Sequence, residues 1–267
     1  MNRELILNKF SILVCSFDSV SDILQLWDKK FFKSPFLFKK NFKIFYGLNF
    51  YNENNKFLFH NKNILYSKTF NWSFSLKSWL NQISSEYILL ILDDQVIKTF
   101  STSKVKKIIN DIDKSGIIYA PISYGTHLTR KIINKEIILK TKVPTSKYSI
   151  NLQPSIWRKS FLINLLNESI NPWEFEIKSS QRYNKENFNA FFYITKDISF
   201  FEQYIERGKI YPKRFHEIFK KPYQLILKRE KVNIRRRFIS HIGYIYKIIK
   251  EFINSLKSFI LFKLIFI

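Results

Sequence analysis

Apolar residues in this chain fall into short continuous runs, separated by stretches in which they recur at helical spacing. Residues 10–16, Phe-Ser-Ile-Leu-Val-Cys-Ser, lack helical period and predict a buried strand, punctuated by Asp18 and Ser19. Behind polar capping candidates, Ile23, Leu24, Trp27 and Phe31 share one face, so residues 21–31 predict a helix packed on that strand. Residues 43–50 predict a second strand. Leu76, Trp79, Leu80 and Ile83 then predict a helix over 72–83, which leads into Tyr-Ile-Leu-Leu-Ile-Leu at 87–92, a central strand.

After Asp93 and Asp94, residues 101–104 offer N-caps, residues 105–112 carry helical spacing, and Gly116 sits where a helix terminates. Residues 117–122 predict a further strand. Residues 124–150 are polar, basic and irregular, with room for a hairpin, and residues 157–166 predict an amphipathic helix. Strands alternating with helices indicate an α/β fold with a mostly parallel sheet, in which ligands gather beyond the carboxyl ends of the strands. Asp18, Asp93 and Asp94 all fall at such ends. From residue 228 the character changes. Arg235, Arg236 and Arg237 precede a stretch rich in Ile, Phe and Leu and interrupted by Lys247, Lys250, Lys257 and Lys263. The expected organisation is one domain over residues 1–227 and a basic amphipathic helical tail over 228–267. That tail either lies on an anionic membrane or docks on the domain. No uncharged run in it approaches the roughly 20 residues of a spanning helix.

The formal net charge of +24 would point to nucleic acid or an anionic membrane as partner. Composition weakens the nucleic-acid reading. Ala120 and Ala190 are the only alanines and there are five glycines, whereas Lys, Asn, Ile, Phe and Tyr abound, the bias of an AT-rich coding sequence. The lysines are also spread along the chain rather than confined to one face. A single cysteine, Cys15, inside an apolar run excludes a disulfide framework and a cysteine-rich zinc site, and reads as a buried, inert thiol. The N-terminus lacks the pattern of a signal peptide, so the expected location is cytoplasmic, with the tail able to hold the protein on the inner face of the plasma membrane.

Two adjacent acids closing an apolar strand are costly beside a core unless something positive meets them. Asp93 and Asp94 therefore suit a hard divalent cation shared with a diphosphate, or else one of them caps the next element. Asn171, Pro172 and Glu174 fit a helix start, with Asn at the N-cap, Pro at the first position and Glu at the third closing a capping box. Glu174 thus has a structural task available. Glu176 has none in this spacing and is the preferred general base for a hydroxyl, with Glu174 as second choice. A helix starting near Pro154 would put Gln153 and Trp157 on one side of a pocket, an amide for hydrogen bonding and an indole for stacking on a sugar. Core packing of Trp157 is the competing reading. Arg158 and Lys209 are candidates for contacting diphosphate. Glycine-rich phosphate loops, a Gly-x-Ser-x-Gly elbow and His-Glu-x-x-His are all absent from the sequence. The histidines, His60, His127, His216 and His241, are too far apart in sequence to suggest a metal site.

At residues 12–18, at Trp72 with Leu76 and Leu80, and over 87–94, 148–157 and 171–176, the chain resembles small bacterial glycosyltransferases of surface-polysaccharide synthesis. These are related to the GT-A class of nucleotide-diphospho-sugar transferases. The resemblance spans residues 11–212. It implies a Rossmann-like domain, a Mg²⁺ or Mn²⁺ cofactor, a nucleotide-sugar donor and a saccharide or lipid-linked acceptor. Residue by residue it implies Asp93 and Asp94 for metal and donor and Glu176 for the base. From position and side-chain chemistry alone, Asp18 joins Arg158 and Lys209 as a donor-side candidate, and Trp173 joins Gln153 and Trp157 on the acceptor side. The acidic motif is Asp-Asp-Gln rather than the commoner Asp-x-Asp, and the second is Trp-Glu-Phe-Glu rather than Glu-Asp. The rival expectation from a different class is a non-catalytic basic protein that binds membrane or nucleic acid through residues 228–267.

Overall fold

A computed structural model describes residues 9–16, 24, 42–50, 63–97, 102–121, 139–142, 148–166, 170–186, 191–194, 201–203, 205–206 and 209–210. The helix expected over 21–31 is described only at Leu24, which is helical and buried. Asp18 and the tail at 228–267 lie outside these residues.

The first half alternates as its apolar pattern requires. Strand β1 (Phe10–Cys15) is buried along its whole length, as a strand covered on both faces must be. It is followed by β2 (Lys43–Leu48), β3 (Ile64–Tyr66), helix α1 (Trp72–Asn81), β4 (Tyr87–Leu92), β5 (Gln95–Ile97), α2 (Thr102–Ser115) and β6 (Tyr119–Pro121). Beyond these come β7 (Leu139–Lys142), β8 (Ser155–Arg158), α3 (Lys159–Leu165), α4 (Pro172–Glu186), β9 (Phe191–Ile194), β10 (Phe201–Gln203), β11 (Ile205–Glu206) and β12 (Lys209–Ile210).

Six strands make one sheet in the order β3-β2-β1-β4-β8-β6. β1 pairs in parallel with β2 and with β4, and β2 with β3. β8 runs antiparallel to both β4 and β6, so β6 is parallel to the rest and β8 alone is reversed. The sheet is open, mostly parallel and flanked by helices, an α/β fold of the Rossmann-like kind expected. Smaller ladders join β5 to β10, β11 to β12 and β7 to β9.

One face of the sheet, with Leu13, Ile88, Leu90, Tyr119 and Trp157, buries against Leu76, Trp79 and Leu80 of α1, Leu162 of α3 and Phe175 and Tyr183 of α4. The aromatic stripe of α1 reaches the sheet because Trp79 donates its indole N–H to the Leu48 carbonyl at 2.9 Å. A Cβ at Gly47 would come within 2.5 Å of that ring, so glycine is needed there by close approach. Gly116 ends α2 with a φ of 64°, a left-handed position that glycine occupies without strain.

The helix expected over 157–166 begins later. Residues 155–158 complete the sheet as β8, and the helix occupies Lys159–Leu165. The periodicity fits both because the strand's inward residues, Ser155 and Trp157, continue into a helix whose buried face starts at Leu162. A slot between β4 and β6 takes the strand, and that tertiary demand outweighs local pattern.

Candidate functional site

In this sheet the chain passes from β1 outward to β2 and β3, then returns on the other side of β1 as β4. The reversal of strand order lies between β1 and β4, and in open α/β sheets it is at the carboxyl edge of such a reversal that ligands bind. Asp93 occupies that position. Its backbone N–H donates to the Cys15 carbonyl at 3.1 Å, and its Oδ2 accepts a 2.6 Å hydrogen bond from the Ser16 hydroxyl, the residue that follows β1. Asp93 and Asp94 form the two-residue turn between β4 and β5, both half-buried. Burial, aided by the negative charge of Asp93, pushes the Cys15 thiol well above its usual range, which keeps it neutral and inert.

β8 enters the sheet at the same edge, since its first residue, Ser155, pairs with Leu90 near the end of β4. The segment leading into it is clamped by α4. Ser180 Oγ accepts from the Ile150 N–H and donates to the Ile150 carbonyl, at 2.9 and 3.0 Å, and Glu176 Oε1 accepts from the Leu152 N–H at 2.7 Å. Glu176 therefore has a structural partner that sequence spacing does not reveal. Its other oxygen carries no hydrogen bond among the described residues. Burial raises the Glu176 pKa above its ordinary 4.5, with the Leu152 bond opposing. Tyr119 lies beside it, its hydroxyl bonded to the Asn151 backbone, and burial keeps that phenol neutral.

α4 starts as its sequence requires. Asn171 Oδ1 accepts from the Glu174 N–H and Glu174 Oε2 accepts from the Asn171 N–H, both at 3.0 Å, a reciprocal capping box. Glu174 is exposed at the helix start, and Trp173 beside it is 63% exposed. Gln153 is exposed in the segment before β8, where its N–H bonds Asn151 Oδ1 at 3.1 Å.

Two expectations need correction. Trp157 is a strand residue with no exposure, packed on Tyr119 at 4.3 Å between ring centroids and on Phe175 at 6.2 Å. Its indole belongs to the core, where no sugar face reaches it, and it does not share a helix with Gln153. Arg158 pairs with Tyr87 at the amino end of β4. It is therefore roughly 20 Å from Asp93, six strand steps of about 3.3 Å. There it contacts Glu86 at 3.3 Å and the Tyr87 hydroxyl at 3.3 Å, while Lys9 and Tyr87 both bond Asp113 of α2. This network ties β1, β4, β8 and α2 together at the edge opposite the acidic turn. Arg158→Met is accordingly expected to cost about 1 to 3 kcal/mol of stability by leaving Glu86 and Tyr87 short of a partner, and to leave nucleotide affinity unchanged, as measured by urea unfolding and titration calorimetry. Lys209 lies in β12, paired with Glu206 across a short hairpin; its side chain and Asp18 are outside the described part.

Sequence reasoning missed Ser16, signalled by its place immediately after β1. It also missed the polar cluster behind the β3–α1 connection. There Asn49 Nδ2 donates to the Thr69 carbonyl at 2.6 Å and to Ser75 Oγ at 2.9 Å, and Ser67 Oγ donates to Ser75 Oγ at 2.9 Å.

The fold and these positions define an open α/β protein with an acidic turn at the carboxyl edge of a mostly parallel sheet, beside the reversal of strand order, and a partly buried glutamate bonded to the segment that enters β8 from that edge. No protein-family description and no curated protein matches the chain. Among solved structures it is similar to S. aureus TarS, at 16% identity and a TM-score of 0.48, covering 82% of this chain and 40% of that one. This chain thus spans less than half the length of that protein. It is also similar to TarS 1–349 in complex with UDP-GlcNAc, at 16% identity and a TM-score of 0.45, covering 82% of this chain and 66% of that one. A cytidylyltransferase from Leptospira borgpetersenii is similar at 13% identity and a TM-score of 0.46, covering 87% of this chain and 99% of that one.

Proposed function

We propose that this protein is a glycosyltransferase that moves a hexosyl or N-acetylhexosaminyl group from a nucleotide-diphosphate donor to a saccharide or lipid-linked acceptor in bacterial surface-polysaccharide synthesis. The observation that carries the reading is the acidic turn at the switch point, bonded to the end of β1, with Glu176 held at the same edge. Glu176 Oε2 takes the proton of the acceptor hydroxyl, whose oxygen forms the new bond to the anomeric carbon as the bond to the diphosphate breaks. Trp173 and Gln153, both exposed at that edge, line the acceptor side.

Among the described residues no group of three or more His, Cys, Asp or Glu side chains forms a cage for a cation. Two adjacent carboxylates suit Mg²⁺ or Mn²⁺ of the kind that keeps waters and takes its remaining ligands from substrate phosphates. Asp93 and Asp94 would hold it. When bound, such a cation neutralises charge developing on the leaving diphosphate.

No helix among the described residues is long and apolar enough to cross a membrane. The reading includes a cytoplasmic location with the basic tail at 228–267 on an anionic lipid surface. A panel of nucleotide sugars, screened by thermal shift with and without Mn²⁺, tests the proposal. At least one is expected to raise the Tm, and only with metal present. If none does while tail-dependent binding to anionic vesicles persists, the non-catalytic reading replaces it.

A further inference from the structure

Ile150 and Leu152 are buried in the segment that leads into β8, so the peptide groups there need partners inside the protein. Two elements supply them. Ser180 of α4 accepts from the Ile150 N–H at 2.9 Å and donates to the Ile150 carbonyl at 3.0 Å. Tyr119 of β6 repeats this pattern one residue on, accepting from the Asn151 N–H at 3.2 Å and donating to the Asn151 carbonyl at 3.3 Å. Leu152 follows, and its N–H goes to Glu176 Oε1 at 2.7 Å. Glu176 and Ser180 are four residues apart on α4, so one helix face holds both ends of the arrangement.

These bonds share peptide groups. The Ile150 carbonyl and the Asn151 N–H belong to one peptide plane, and the Asn151 carbonyl and the Leu152 N–H to the next. Ser180 and Tyr119 thus grip the first plane, and Tyr119 and Glu176 the second. Direction is fixed as well, because an N–H can only donate, and a hydroxyl that accepts it turns its own proton onward. Every donor from the Ile150 N–H through Ser180 and Tyr119 to the Leu152 N–H points one way, and the series ends on a carboxylate oxygen. Bonds in such a series polarise one another, by about 10 to 30% each, and a charged last acceptor gains most. Backbone satisfaction alone would need no such order. Burial opposes the charge on Glu176, and the Leu152 bond favours it. The titratable side chains beside the series are Tyr119 and, from α4 itself, Tyr183, whose phenols burial keeps neutral. Glu174 and Lys178 on the same helix are exposed.

We propose that Tyr119 and Ser180 are positioning residues for Glu176, acting through the two peptide groups between Ile150 and Leu152 to fix Oε1 and favour the ionised carboxylate, which leaves Oε2 as the oxygen that takes a proton. Its use as a base rests on the glycosyltransfer reading; the hydrogen-bond series does not. ¹³C NMR of the Glu176 carboxyl in the full chain, labelled on glutamate and assigned by Glu176→Gln, follows its titration. In Tyr119→Phe, which keeps the ring and removes the hydroxyl, the proton affinity of Glu176 is expected to rise by about two- to fivefold, moving the midpoint to higher pH. Ser180→Ala, one link further away, is expected to move it the same way by less. Trp157→Phe disturbs the packing on Tyr119 without touching a peptide group in the series, and is expected to leave the midpoint in place. An unmoved midpoint in a folded Tyr119→Phe overturns the proposal, and so does an equal shift in Trp157→Phe. If Tyr119→Phe does not fold, Ser180→Ala decides by the same criterion. The acid limb of kcat/KM is expected to move with the NMR midpoint. The expected NMR shifts beside a Glu176→Gln that turns over normally would instead sink the catalytic reading and leave the positioning role standing.

Discussion

Glu176→Gln is expected to lower turnover by about 10² to 10⁴ while donor affinity barely changes, because general-base participation contributes about that much and the amide cannot accept the proton. The amide still offers an oxygen to the Leu152 N–H, so the fold survives the change. Glu174→Gln is expected to behave in the opposite way. It weakens the capping box, costs about 1 kcal/mol of stability or less, and leaves turnover near normal. Near-normal turnover in Glu176→Gln alongside an inactive, folded Glu174→Gln would reverse the assignment. Burial gives the base a further signature. A base must be ionised to act, and the Glu176 pKa lies above 4.5, so turnover is expected to fall, as pH is lowered, at a pH above that ordinary value. The same shift has the reverse sign for stability: a carboxyl whose folded pKa is raised favours the fold when protonated. Its contribution is full below pH 4.5 and is lost as pH rises through the folded value.

Trp157→Ala is expected to cost about 3 to 5 kcal/mol, the range for deleting a large buried aromatic, measured by urea unfolding. The ring fills the space between Tyr119, Phe161 and Phe175 and has no exposure to lose. Trp157→Phe is expected to cost much less, since it keeps a ring and removes an indole N–H that is buried without a hydrogen-bond partner. A stable Trp157→Ala with a raised acceptor KM would restore the pocket role that its buried position contradicts.

How far the sequence could be read depended on what each segment packs against. The run at 87–92 and the stripe of Trp79 and Leu80 match β4 and α1 because burial alone selects those residues. The capping box at Asn171 and Glu174 is equally legible, since its partners are three residues apart. Ser155 to Arg158 was not, because its strand exists only through β4 and β6, which are distant in sequence. Arg158 carries the chemistry of a phosphate ligand, but the antiparallel entry of β8 sends it to the wrong edge. Short strands such as β3 leave no periodicity to detect. Phe74 shows the converse: it sits out of phase with the buried stripe of its helix, and that misfit is the signal of an exposed aromatic.

In the proposed function, the turn between β4 and β5 holds the nucleotide diphosphate. Titration calorimetry of UDP, GDP, CDP and dTDP into the full chain, with Mn²⁺ and with chelator, tests it beside Asp94→Ala. Saturable binding of at least one nucleotide is expected, requiring the cation and abolished in Asp94→Ala, with the variant's Tm near that of the parent. Unchanged affinity in a folded Asp94→Ala would contradict it.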